Sequence, residues 1–298
     1  MTILGPQGYG DRRGGGHRGR WIIAIVIALV GVIGYFAKEK VTNPETGESY
    51  RRAMNVDEQK ALGLQAAKQM IPQMGGEVDP SRDQDAALVD EVGARLVRDT
   101  GAAKTEFADN FNFYLVDDPN TINAFALPGG QVSITRGLMN RLENEAQLAG
   151  VLGHEIGHVI AEHSAQQMAK GQLGQMIATA VGVGASGEDG AGRYAGVAAA
   201  MANQMVQLKY GREDESQSDD IGLKYMAQAG YDPAEMLGVM RILDEASKGG
   251  KQPEFMSSHP HPQTRIDTIK AFLEKNKDEL AKLKLTKGRD LRGGSVER

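Results

Sequence analysis

Cysteine is absent from the 298 residues of the chain. This absence excludes disulfides, thiolate metal sites, a cysteine nucleophile and a lipid-modified amino-terminal cysteine. Any metal ligand must therefore be a histidine, an aspartate or a glutamate. An excess of positive charge is also lacking, since the net charge is −5, so nothing favours nucleic acid as a partner.

Several common catalytic signatures are missing as well. The sequence contains no G-x-S-x-G nucleophile elbow and no G-x-x-x-x-G-K-[ST] phosphate loop. Two matches to G-x-G-x-x-G, at 14–19 and 182–187, do not follow a predicted strand, as a dinucleotide site requires. Serine hydrolases, nucleoside triphosphatases and dinucleotide-binding enzymes are therefore not indicated.

One long apolar run is present, "WIIAIVIALVGVIGYFA" at 21–37, and arginines precede it. Its length is at the short end of what spans a bilayer, yet it exceeds the usual apolar region of a signal peptide and lacks a clear cleavage site. We expect a single-pass anchor in the inner (cytoplasmic) membrane. The positive-inside rule then makes 1–20 a basic cytoplasmic tail and sends the following domain into the periplasm or the cell exterior.

The rest of the sequence predicts one domain over 57–286, preceded by a polar linker over 38–56 and followed by a disordered tail over 287–298. Helical periodicity appears at 57–73, at 84–99, from Asn144 onward and at 263–285, whereas 111–118 and 122–135 are typical of short strands around a turn. The predicted fold class is α+β and mainly α, with a small sheet beside the helix that begins near Asn144 and with one transmembrane helix before the domain.

That helix contains "GVLGHEIGHVIAEH" at 150–163. His154 and His158 are four residues apart, so they share a helix face and can both reach one zinc ion. Glu155 lies one residue round, close enough to contact a metal-bound water as a general base in the H-E-x-x-H arrangement. His163 falls off this face and is expected at the surface or in support of a ligand. A chance match on an amphipathic helix is the alternative.

A catalytic zinc needs a third protein ligand. It is either a carboxylate downstream or one of His259 and His261 in "SSHPHP". In "GREDESQSDDIGLKYM" at 211–226, Glu215 and Asp219 are four apart on a predicted helix. Glu215 could reach the zinc while Asp219 accepts a hydrogen bond from the second ring nitrogen of a ligand histidine. The alternative is a solvated acidic face.

Over about 41–275 the sequence resembles the HtpX-like and CAAX prenyl protease family of zinc metallopeptidases, most closely its bacterial periplasmic BepA-like branch. The motifs that carry the resemblance are "NPETG" at 43–47, "ALG" at 61–63, "NAFALPGG" at 123–130, "TRGLM" at 135–139, "HEIGH" at 154–158, "ESQSD" at 215–219 and "SSHPHPQTRI" at 257–266. Ser218 stands where the family usually has alanine, which keeps a small residue there.

The resemblance implies a zincin-type metallopeptidase domain with one zinc per chain. The metal ligands it implies are His154, His158 and Glu215. Glu155 would be the general base, and the carboxylate of Asp219 would support His154. It also implies that the strand at 131–134 borders the cleft. An extended substrate would then pair with the backbone of Gly130, Gln131, Val132 and Ser133 by strand addition. The alternatives are a plain edge strand and, at the glycines 129 and 130, a tight turn.

The function expected from these features is that of a membrane-anchored zinc-dependent endopeptidase. Its partners would be polypeptide substrates, by resemblance misfolded or misassembled envelope proteins, and the membrane through 21–37. BepA-like relatives carry carboxy-terminal tetratricopeptide repeats, and since no internal repeat is visible here, partner recruitment through them is not expected. The alternatives are a chaperone-like binding module with a structural or closed zinc site, and a prenyl-protein protease, which has several membrane spans.

His259 is expected at the active site, because Pro260, between the two histidines, and Pro262, after them, stiffen the loop. A neutral imidazole there could occupy the open position of the zinc, or it could donate a hydrogen bond to the oxyanion. A third possibility is that the loop only precedes the last helix, with Arg265 in a structural ion pair. We favour the blocking role for His259.

Overall fold

The computed structural model describes residues 37–52, 54–168, 209–248, 253–260 and 262–292, together with the single positions 26, 29, 33 and 34. Its elements are β1 Lys40–Thr42, β2 Ser49–Arg51, α1 Val56–Met70, α2 Gln84–Arg98, β3 Asn112–Val116, β4 Ala124–Leu127, β5 Gln131–Thr135, α3 Arg136–Met139, α4 Glu145–Ile160, α5 Arg212–Gln228, α6 Met236–Ser247, α7 Glu254–Ser258, α8 Pro262–Lys275 and α9 Lys277–Leu280. The fold is mainly helical with two small sheets, which confirms the predicted secondary-structure class.

Most of the predicted anchor at 21–37 lies outside the described residues. Among the helices that the structure does describe, none combines the length and the apolar character needed to cross a bilayer. The anchor therefore stays a prediction from the sequence.

The larger sheet has three strands in the order β3-β5-β4, with β5 parallel to β3 and antiparallel to β4. The main hydrophobic core joins this sheet to α2, α4, α5 and α6. α4 contacts both β4 and β5, so the sheet lies beside the helix that carries the histidines, as the sequence predicts.

The central position of β5 contradicts the predicted substrate contacts at 130–133. Val132 and Ser133 pair with β3 on one side and β4 on the other, so their backbone has no free edge for strand addition. The side chain of Gln131 is buried and bonded to Tyr114, and Gly130 has a φ of 111° in the preceding turn. The strand-addition prediction for these four residues is therefore wrong. The strand order makes β4, and not β5, an outer strand of this sheet.

Asn144 caps the amino terminus of α4, and its side chain accepts a hydrogen bond from the backbone of Gln147. All residues of α4 are buried, and α5 packs along it. A Cβ at Gly157 would lie 2.9 Å from the carbonyl oxygen of Ser218 on α5. Glycine in a helix costs about 1 kcal/mol relative to alanine, and here that cost permits the backbones of α4 and α5 to touch. The contact brings the carboxylates of α5 within reach of the α4 histidines.

The segment predicted as a linker, 38–56, is folded over its described residues, 38–52 and 54–56. β1 and β2 form an antiparallel hairpin, and the buried Asn43 donates from Nδ2 to the carbonyl oxygen of Ile160 at the end of α4. Tyr50 and Arg52 donate hydrogen bonds of 2.6 and 2.7 Å to the carboxylate of Glu162. The linker prediction is wrong for this hairpin, because its polar residues bond to the carboxyl end of α4.

The tail predicted to be disordered, 287–298, is ordered over 287–292, and the remainder lies outside the described residues. The carbonyl oxygens of Lys287 and Arg289 accept hydrogen bonds from the backbone N–H groups of Ala146 and Glu145. Arg289 also donates to the Glu145 carboxylate at 2.8 Å. These contacts satisfy N–H groups that the first turn of a helix leaves without partners. The disorder prediction is wrong at 287–292.

Candidate metal centre

Three separate parts of the chain converge on one buried cluster. α4 supplies His154, Glu155 and His158, and α5 supplies Glu215. His259, which directly follows α7, completes the group. The packing of α4 against α5 sets the distance between the histidine pair and the glutamate.

Four of these residues could hold a metal ion. The candidate ligand atoms of His154, His158, Glu215 and His259 all lie within 4.8 Å of one another. The Nε2 atoms of His154 and His158 are 3.1 Å apart, and each lies 3.6 Å from an oxygen of Glu215. Two ligands bound tetrahedrally to zinc are about 3.3 Å apart. The spacing therefore fits zinc and the ligand set expected from the sequence.

Asp219 fixes the tautomer of His154. Its Oδ1 lies 2.9 Å from Nδ1 of His154. Nη2 of Arg265 is 3.1 Å from the same nitrogen, but it lies closer to Oδ1 of Asp219, at 2.7 Å, and donates to it. A carboxylate only accepts, so this ring nitrogen carries the proton and Nε2 keeps its lone pair. Burial would raise the pKa of Asp219, but the charge of Arg265 and the hydrogen bonds from His154 and Arg265 outweigh it and lower that pKa to about 2. Asp219 is therefore an anion in the folded protein.

The donor set points to a cation. Burial, then the neighbouring histidines, hold the pKa of His158 well below its usual range, so its imidazole is neutral. Asp219 leaves His154 with a lone pair at Nε2, which faces Nε2 of His158. Oε2 of Glu215 is buried and makes no hydrogen bond within the described part of the chain. Two imidazole nitrogens and a carboxylate oxygen that converge in this way are a donor set that zinc prefers.

His259 lies between Glu155 and the three expected ligands. Its Nδ1 is 3.0 Å from Oε1 of Glu215 and 3.2 Å from Nε2 of His154, while its Nε2 is 3.5 Å from Oε1 of Glu155. The ring stacks on Phe255 at a centroid distance of 4.4 Å. Burial would lower the pKa of His259, but the charges of Glu215 and Glu155 raise it. His261, the other candidate in this loop, lies outside the described residues.

Arg265 belongs to the cluster, although the sequence suggested only a structural ion pair for it. It is buried and donates from Nε and Nη2 to the two oxygens of Asp219, at 3.0 and 2.7 Å. Its Nη1 lies 3.4 Å from Oε2 of Glu215. The signal in the sequence was its place in "SSHPHPQTRI", six residues after His259.

Two further side chains contact His158. The ring of Tyr210 stacks on it at a centroid distance of 4.0 Å and an angle of 29°, and the Tyr210 hydroxyl bonds Ser164 at 2.8 Å. His163 is buried and its Nδ1 lies 2.9 Å from Nδ1 of His158. No pattern in the sequence singles out Tyr210, whereas the distance of five residues from His158 left both a surface and a supporting role open for His163.

An H-E-x-x-H helix with a glutamate from a second helix beside it is the donor arrangement of the zinc metallopeptidases. A family model agrees with this class: that of peptidase family M48 matches residues 83–273. The chain belongs to this family, which confirms the resemblance seen in the sequence motifs, and zinc is the metal that the family uses.

Relatives with curated names point to the same branch. The chain is 30% identical over 234 residues to the beta-barrel assembly-enhancing protease of Yersinia pestis, an alignment that covers 75% of this chain and 45% of that protein. The protein of the same name from Escherichia coli K12 is 29% identical, with 78% and 47% covered. The mitochondrial metalloendopeptidase OMA1 of Schizosaccharomyces pombe is 29% identical, with 86% and 72% covered. The chain thus spans about half the length of the two assembly-enhancing proteases.

Proposed function

We propose that the protein is a zinc-dependent endopeptidase in which His154, His158 and Glu215 bind the metal. The observation that carries this proposal is the convergence of two imidazole nitrogens and a buried carboxylate at 3.1 to 3.6 Å. When bound, zinc supplies the Lewis acidity that polarises a peptide carbonyl and acidifies a water molecule. Asp219 keeps the proton of His154 on Nδ1, so that Nε2 stays available to the metal.

Glu155 is the general base in this proposal. Its carboxylate does not belong to the metal-binding group but lies beside it, with Oε1 3.5 Å from Nε2 of His259. Its Oε1 is buried and makes no hydrogen bond to another described residue. A carboxylate that lies beside the metal ligands without binding the metal can take a proton from the attacking water and pass it to the nitrogen of the leaving amine.

His259 restrains the site in this proposal. It contributes a fourth donor to the metal-binding group, on the side of Glu155. A catalytic zinc has three protein ligands and one open position, whereas a structural zinc has four protein ligands. An imidazole in the open position excludes the attacking water. The loop that carries His259 must therefore move before hydrolysis.

The experiment is metal analysis and casein digestion by the full chain, with and without a chelator, for the wild type and for His259→Ala. We expect one zinc per chain in both, digestion that the chelator abolishes, and faster digestion by His259→Ala. Ser258→Ala, at the last residue of α7 and directly before His259, is the control and should match the wild type. If His259 instead stabilises the oxyanion, His259→Ala should lower kcat by about 10² or more with zinc retained. Wild-type activity in His259→Ala would leave it a structural role.

The same assay separates the proposal from a chaperone-like binding module. Such a module would hold zinc and bind unfolded casein without cleaving it. Absence of chelator-sensitive cleavage in both proteins would favour the binding module.

We further propose that the substrates are misfolded or misassembled envelope proteins, which would make the enzyme a component of protein quality control. The names of the assembly-enhancing relatives support this, and the apolar run at 21–37 after arginines supports an anchored periplasmic or extracellular domain. Protease added outside spheroplasts should digest the domain. In untreated cells the domain should still carry the anchor at 21–37. Digestion only after lysis would reverse the orientation.

A further inference from the structure

The two expected histidine ligands are held in different ways. Nδ1 of His154 faces the carboxylate of Asp219, which can only accept. Nδ1 of His158 instead faces Nδ1 of another imidazole, His163, at 2.9 Å. Either ring could donate across that contact, so the tautomer of His158 depends on what holds the far side of His163.

A chain of hydrogen bonds decides the direction. The carboxylate of Glu48, in the β1-β2 hairpin, lies 2.8 Å from Nε2 of Gln217 and must accept from it. The amide oxygen of Gln217 therefore faces Nε2 of His163, at 2.8 Å, and must accept in turn. With its proton on Nε2, a neutral His163 has a lone pair on Nδ1. His158 then donates from Nδ1, and its own Nε2 is left free for the metal.

Two nearby groups do not compete for these positions. The hydroxyl of Ser218 is 3.4 Å from Nδ1 of His163, longer than the 2.9 Å contact to His158. Oδ1 of Asp214 is 3.8 Å from Nε2 of His163, beyond hydrogen-bond range. The other oxygen of Asp214 accepts from the backbone of Gly211.

The backbone conformation directly before His163 directs this side chain towards His158. Glu162, directly before His163, has a φ of 55°. This value lies in the left-handed region, which residues other than glycine seldom adopt. Its buried carboxylate accepts hydrogen bonds from Arg52, Tyr50 and Gln59. This unfavourable conformation is therefore held by bonds from the hairpin and α1, and it turns the chain so that His163 returns beneath His158.

We propose that His163 is a positioning residue for the metal site, which fixes the Nδ1-protonated tautomer of His158 and is itself oriented by Gln217 and Glu48. This proposal rests on the proposed function, since it presupposes that His158 binds zinc through Nε2. It assigns a role to a residue outside the H-E-x-x-H motif. It also makes the amino-terminal hairpin part of the support of the metal centre.

The test compares two substitutions of His163 in the full-length protein. His163→Asn places an amide oxygen near the former Nδ1 and keeps an acceptor for His158, whereas His163→Leu keeps the bulk without an acceptor. Zinc affinity is measured by competition with a chromophoric chelator. We expect His163→Leu to bind zinc about 10 to 100-fold more weakly, and His163→Asn to lie closer to the wild type than to the leucine variant.

A spectroscopic readout follows the proton itself. In the cobalt-substituted protein, the ring N–H protons of the ligand histidines give shifted resonances. The N–H of His158 should exchange with water faster in His163→Leu than in the wild type or in His163→Asn. Equal zinc affinity in all three proteins, or an asparagine variant as weak as the leucine variant, would overturn the proposal.

Gln217→Met keeps the proposal testable if the leucine variant does not fold, which the melting of the zinc-free protein reports. This substitution should weaken zinc binding in the wild-type background but not in the His163→Asn background, where the contact to Gln217 is already lost. An unchanged affinity in Gln217→Met would contradict the hydrogen-bond chain. Failure of the wild type to bind zinc would instead refute the proposed function.

Discussion

Replacement of Asp219 by asparagine tests how the metal centre is stabilised before any metal is bound. In the folded protein both carboxylate oxygens accept from Arg265, at 2.7 and 3.0 Å, and Oδ1 also accepts from His154 at 2.9 Å. An asparagine of the same shape has one oxygen and one NH₂ group, so a donor must face a donor. It also removes the charge that neutralises a buried guanidinium.

The expected magnitude follows from the surroundings of Arg265. Breaking a buried ion pair on one side costs about 3 to 5 kcal/mol. Glu215, whose Oε2 lies 3.4 Å from Nη1 of Arg265, still offers a partial counter-charge. We therefore expect a loss of about 3 kcal/mol in the unfolding free energy of the zinc-free protein. Zinc affinity should fall about 10 to 100-fold, which is about 1.4 to 2.7 kcal/mol.

Urea unfolding of the zinc-free protein and chelator competition measure the two effects. Asp220→Asn is the matched control, because it makes the same chemical change one residue away on an exposed position of α5. It should alter stability by no more than about 0.5 kcal/mol. If Asp219→Asn behaved like Asp220→Asn, the proposed support of His154 by Asp219 would be refuted.

Three further predictions address the ligand set, the first turn of α4 and its contact with α5. Glu215→Ala should lose zinc in metal analysis, whereas retained zinc would move the third ligand to the loop after α7. Burial would raise the pKa of Glu145, but its hydrogen bonds with Arg289 outweigh this effect and lower the pKa. The ionised carboxylate therefore stabilises the folded protein above about pH 4.5, and this contribution is lost at lower pH. In urea titrations the wild type should lose more stability than Glu145→Gln between about pH 6 and about pH 3, and equal losses would contradict the prediction. Gly157→Ala should lower the free energy of unfolding, measured in urea, by about 1 to 3 kcal/mol, because its methyl group would meet the backbone of Ser218. A variant more stable than the wild type would contradict this and show that the higher helix propensity of alanine outweighs the contact.

The local features of the fold follow from the sequence. The cap of α4 at Asn144 and the apolar repeat of this helix could be predicted, because both are encoded in neighbouring residues. The spacing of His154 and His158 is local in the same sense. Glu215 could be singled out because it lies four residues before Asp219 on one helix face.

Features that depend on residues far apart in the sequence could not be predicted from it. The order β3-β5-β4 is decided by pairing across the chain, and buried strands of four or five residues carry no pattern that tells an edge from a centre. Asn43 and Arg289 lie in polar segments that are typical of a linker and a tail, yet each bonds an end of α4. Tyr210 stacks on His158 from a region with no motif of its own.

Substitution of Glu155 by glutamine tests the central claim most directly, because it removes the proposed base and leaves the expected metal ligands in place. Zinc content and casein digestion are measured on Glu155→Gln in the wild-type and His259→Ala backgrounds. The account predicts one zinc per chain and no chelator-sensitive digestion in either background. Digestion at the rate of the matching background, or loss of zinc from Glu155→Gln, would contradict it.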